Sequence, residues 1–130
     1  MGWSADAIRW GDEWRYLKPD LDPELFLEFT NAAEEVNRLA GSVDAGLYDG
    51  GLVCSTSVGF LMQAVGEFPR GGGVILPEEV QERGAVANWS LPGPNESHSL
   101  WGYWAAFKFF ELCIRHNLGI WIEPGRRPLR

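Results

Sequence analysis

The most regular spacing of apolar positions lies in LKPDLDPELFLEFTNAAEEVNRLAG, where Leu25, Phe29, Ala32, Val36 and Leu39 recur at helical intervals and share one face. Asp22 as N-cap, Pro23 at the first helical position, Glu24 in the first turn and Gly41 past the end bound a helix of about four to five turns. The opposite face, Glu24, Glu28, Asn31, Glu35 and Arg38, is polar and mostly acidic.

A second long helix is predicted from Ser97 or Ser99, as N-cap, to Asn117-Leu118-Gly119. It opens on SLWGYWAAFKFF, and its only charged residues are Lys108, Glu111 and Arg115, which form one stripe. A helix apolar on all other sides is usually central, so Phe107, Phe110, Leu112 and Ile114 are assigned to the core. Trp104 and Trp101 continue the charged stripe. They are either covered by another segment, such as the Trp-rich N-terminus, or exposed for a partner. The cover could come from the same chain or from a second copy in a homodimer, since an exposed aromatic stripe favours self-association.

The remaining elements are shorter. Trp3, Ala7, Trp10, Trp14 and Leu17 fall at helical spacing and predict a helix in the first part, with extended chain from Trp14 to Leu17. The alternative is a turn at Gly11-Asp12 between the strands AIRW and EWRYL. Asp49-Gly50-Gly51 between apolar runs predicts a hairpin. SVGFLMQAVGEF predicts a short helix with Phe60, Leu61, Ala64 and Val65 inward, Val74 to Leu76 a strand, and PEEVQERG a helix opened by Pro77. AVANWS and GIWIEP read as strands, and LPGPNESHS as a loop. Short strands interleaved with helices imply an α+β fold, a small, mainly antiparallel sheet with the two long helices on one face. One domain is expected over residues 1–125, followed by a mobile basic tail, RRPLR, over 126–130.

Composition narrows the class. With 130 residues, 45% hydrophobic and 22% charged, the chain can build a core without disulfides or metal. Two cysteines, no basic and apolar leader at the N-terminus and no apolar run of membrane-spanning length predict a soluble, cytoplasmic protein. Residues 1–82 carry 15 acids against 5 bases and residues 83–130 carry 3 against 6, so −10 and +3 give the net −7. That field disfavours nucleic acid and favours a basic protein partner.

Cys54 and His98 are the one nucleophile and base pairing, a thiol ahead of a helix start and a distant histidine. Their flanks, GLVCSTSVGF and ESHSLWGY, resemble those of cysteine hydrolases, which place Cys at a helix start and His at a strand start. Here His98 precedes a helix, and no Asn or Asp stands out to orient its ring. Cys113 and His116, with Cys54 and His98, match a zinc ligand count, but no CxxC accompanies them. Buried Cys113 and a helix-terminal His116 are expected instead, with no metal or cofactor. Arg70-Gly-Gly-Gly leads into a strand rather than a helix, so it reads as a turn and not a phosphate cradle.

The expectation is a non-enzymatic, acidic binding module, by analogy of size and charge an immunity-type stoichiometric inhibitor of a more basic protein. Its predicted contacts are Glu24, Glu28 and Glu35, with Trp101 and Trp104 as aromatic anchors. A hydrolase using Cys54 and His98 is the alternative.

Overall fold

The computed structural model describes residues 3–41, 46–48, 50–53, 55–93 and 100–124. The fold is α+β, as expected, with a six-stranded antiparallel sheet and four helices among those residues. The strands are β1 (Trp3–Trp10), β2 (Trp14–Tyr16), β3 (Leu47–Tyr48), β4 (Gly51–Leu52), β5 (Gly73–Ile75) and β6 (Gly119–Pro124). The helices are α1 (Pro23–Ala40), α2 (Ser55–Val65), α3 (Pro77–Ala85) and α4 (Leu100–Arg115). The sheet order is β3-β4-β1-β6-β5, with β2 pairing β1 on the β4 side.

β1 is the central strand, and here the helical reading of the N-terminus is overturned in favour of the hairpin. Trp10 and Trp14 are not neighbours on a helix. They face each other across the turn as a cross-strand pair, and an i, i+4 pair astride a tight turn reproduces helical spacing by accident. Ser4 through Ile8 are all buried, so the alternation that marks a half-exposed strand is missing. AVANWS is also not a strand. α3 runs to Ala85, and residues 86–90 cross irregularly to place Trp89 against Tyr103, Phe107 and Phe110 of α4.

One sheet face carries Ala5, Ala7, Leu52, Ile75, Ile120 and Ile122, all in the helix-lined core. α4 packs between α1, α2 and α3, which explains its apolar circumference. Gly102 lets α2 approach, since a Cβ there would lie 2.9 Å from Thr56 Cγ2. Phe110 and Leu112 are buried as predicted, whereas Phe107 and Ile114 lie at the core margin, half-buried. On α1, Leu25, Phe29, Ala32 and Val36 are buried, but Leu39 is exposed. Two heptads after Leu25, the roughly 20° drift per heptad has turned it off the packed face.

Candidate functional site

The acidic stripe of α1 lies beside the charged stripe of α4. Glu35 Oε1 is 3.2 Å from Lys108 Nζ, and Glu28 Oε1 accepts a hydrogen bond of 3.2 Å from Arg115 NH1. His116 Nε2 is 2.6 Å from Glu28 Oε2, and Arg115 also approaches Glu111. The two helices therefore run antiparallel with their charges matched, lining a polar groove of about 250 Å³. Of the three predicted acidic contacts, Glu28 and Glu35 already have counter-ions on α4, while Glu24 is exposed and has no ion pair among the described residues.

Trp104 and Trp101 lie on α4 on the N-terminal side of Lys108, at the Glu35 end of this groove and remote from Glu24, about 16 Å of helix away. Both are half-buried. Trp104 packs against the core, with its ring 5.3 Å from Tyr103 and 5.8 Å from Phe107. No ring contact joins Trp3, Trp10 or Trp14 to Trp101 or Trp104 among the described residues, and Trp3 packs against the core. Trp89, Tyr103, Phe107 and Phe110 form one aromatic cluster with Trp104, whereas Trp10 and Trp14 belong to the sheet.

The sequence pattern hid a second surface. Pairing register puts Ser4, Asp6, Ile8, Trp10, Trp14, Tyr16, Val74, Trp121 and Glu123 on the sheet face opposite Ala5 and Ala7. None of these residues belongs to the helix-lined core. Trp14 and Trp121 stack across β1 with centroids 5.0 Å apart and planes 15° from parallel, and Tyr16 meets Trp14 edge-on at 5.4 Å. Beneath these rings Ile8 and Asp6 have no exposure. Trp10, next along the face, is 45% exposed. Trp121 Nε1 donates to Glu123 Oε2 at 3.0 Å, which fixes that carboxylate at the edge of the face.

The cations of the same hairpin point the other way. Arg9 and Arg15, at the odd positions, converge on Asp22, which accepts from Arg9 Nε at 3.2 Å and from Arg15 NH1 at 2.9 Å. Asp22 stands at the N-cap position of α1, as read from the sequence, but its side chain makes no cap hydrogen bond. It accepts instead from Lys18 N and the two arginines. These bonds, led by the one from Arg15, lower the Asp22 pKa from 3.8 to about 2. The exposed hairpin tip between the tryptophans, Gly11-Asp12-Glu13, is left with two acids that have no ion pair among the described residues.

For the other sequence candidates, Cys54 and His98 lie outside the described residues, as does the 126–130 tail with its arginines. Cys113 is fully buried, and burial pushes its thiol pKa well above the ordinary value. No group of three or more metal-ligating side chains occurs among the described residues, and no helix there is long and apolar enough to cross a membrane. Comparison with protein-family models, with curated proteins and with solved structures finds no match.

Proposed function

We propose that the protein is a non-enzymatic binding module for a more basic protein, in the manner of an immunity-type stoichiometric inhibitor. The observation that carries this reading is the division of its acids into two populations. Asp22, Glu28, Glu35, Glu79 and Glu111 are matched by cations of the same chain, whereas Asp12, Glu13, Asp20, Glu24, Glu34, Glu67, Glu78 and Glu82 are exposed without an ion pair among the described residues. Unmatched acids on a chain of net charge −7 project a field that speeds capture of a cation-rich surface and disfavours acidic competitors. Glu24 keeps its place as a predicted contact. Glu28 and Glu35 enter as acids already partly neutralised, with Trp101 and Trp104 as half-buried aromatics at the far end of the same groove.

The test is affinity capture with the whole chain from cell lysate at low and at moderate salt, followed by mass spectrometry. A basic protein retained in stoichiometric amount at low salt, and released as salt rises, supports the reading. Retention of nothing, or only of proteins whose binding is indifferent to salt, overturns it.

A further inference from the structure

We infer that the sheet face opposite the helices, Trp10, Trp14, Tyr16 and Trp121 with Asp12 and Glu13 at its hairpin end and Glu123 at its other end, is the surface that receives the arginine side chains of a basic partner. The inference rests on the proposed function for the sign of the partner and goes beyond it in naming the surface and the recognised group. Three observations meet here. The face is aromatic, and its outermost indole, Trp10, is 45% exposed. The charges at its two ends are acidic, with no lysine or arginine at any strand position of this face. The hairpin's own arginines are tied to Asp22 on the opposite side, so they do not neutralise these acids.

This combination suits a guanidinium more than an ammonium. A planar, weakly hydrated cation can lie against an indole while its N–H groups reach a carboxylate, whereas lysine presents a compact and strongly hydrated charge. The Trp14–Trp121 stack occupies one face of each ring and holds both rings in place, so little side-chain freedom is lost on docking. Glu123, oriented by Trp121 Nε1, is an acceptor already in position.

The test is a titration of the whole ¹⁵N-labelled chain with a hexa-arginine peptide, followed by the indole N–H resonances of its seven tryptophans. Single Trp→Phe variants assign the signals. The expected result is a saturable shift of Trp10, Trp14 and Trp121, with Trp101 and Trp104 unmoved. Hexa-lysine should bind more weakly, and Trp10→Ala should lower hexa-arginine affinity about two- to fivefold, the value of one exposed cation–π contact. Because Trp10 lies outside the core, that variant should fold; Asp12→Asn with Glu13→Gln gives a second weakening that leaves every ring in place. Shifts confined to Trp101 and Trp104 would overturn this surface while leaving the proposed function standing on the other face. No saturable shift at any tryptophan would also overturn it, and the lysate capture would then judge the proposed function independently. Binding seen only after Arg126, Arg127 and Arg130 are replaced by Ala would make the face the seat of the chain's own tail. Concentration-dependent broadening of the same signals without peptide would make it the seat of a second copy. Either result overturns an external partner.

Discussion

The indole of Trp14 lies over that of Trp121, 5.0 Å between centroids and 15° from parallel, with β1 passing beneath them. The stack joins the two strands that flank β1 and roofs residues that no helix-lined core reaches. A structural role is thereby combined with an aromatic surface. Trp14→Ala and Trp121→Ala should each destabilise the fold by about 2 kcal/mol, less than a fully buried Trp would cost. The double variant should fall short of the sum by about 1 kcal/mol, the value of an aromatic pair beyond its buried area. Urea unfolding of the four proteins measures this; strict additivity would mean that the stack contributes nothing of its own.

Asp22 supplies a pH dependence whose sign is fixed. Its pKa is lowered from 3.8 to about 2 in the folded chain, so the folded state binds fewer protons than the unfolded one across that interval. The stabilisation, about 2 kcal/mol from a shift of this size, is fully present above pH ~4 and lost as pH falls through ~2. Asp22→Asn should therefore lower the urea midpoint at neutral pH. The gap from the parent should close progressively as pH falls from about 4 towards 2. A gap that stayed constant over that range would place the Asp22 contribution elsewhere than in its charge.

Glu35 and Lys108 pair at 3.2 Å on a partly exposed helix boundary. Such pairs are screened by solvent, and Glu35→Gln should cost no more than about 0.5 kcal/mol. Glu35→Lys opposes two cations and should cost about 1 kcal/mol, with Lys108→Glu in the same chain restoring most of it. Thermal unfolding at low salt is the measurement; failure of the reversed pair to recover would mean that packing of the side-chain stems, not charge, dominates there.

Gly51 is required by close approach. A Cβ there would lie 2.9 Å from the Ala5 carbonyl oxygen and collide with the Asp6 carboxylate, and the backbone oxygen cannot move without disturbing the central strand. Gly51→Ala should cost about 2 kcal/mol or more, read from urea unfolding. A neutral effect would show that β4 can shift relative to β1.

Legibility in the sequence followed the length of each pattern. α1, bounded by Pro23 and Gly41, and α4, nearly free of charge, declared themselves, as did the turn at Gly50 and the final strand GIWIEP. β1 did not, because burial on both faces erased its alternation and the Trp10–Trp14 pair imitated a helix. The charge stripes of α1 and α4 were each visible, yet their mutual neutralisation is a tertiary fact that no local pattern carries. The aromatic sheet face was missed for the same reason: it assembles Trp10, Trp14 and Trp121 from three strands. The one available signal was the tip WGDEW, two tryptophans bracketing a turn with two acids.

In the proposed function, acids without an internal counter-ion hold a basic partner. The decisive measurement repeats the low-salt capture with the parent chain, with Asp12→Lys and Glu13→Lys together, and with Glu28→Lys and Glu35→Lys together, and quantifies the basic protein that survives washing. Both double variants change net charge by the same amount, so a difference between them reports place rather than total charge. Reversal at Asp12 and Glu13 should lower the retained protein severalfold, whereas reversal at Glu28 and Glu35 should leave most of it bound. Loss with the second variant but not the first, or no basic protein retained by the parent chain, would contradict the proposal.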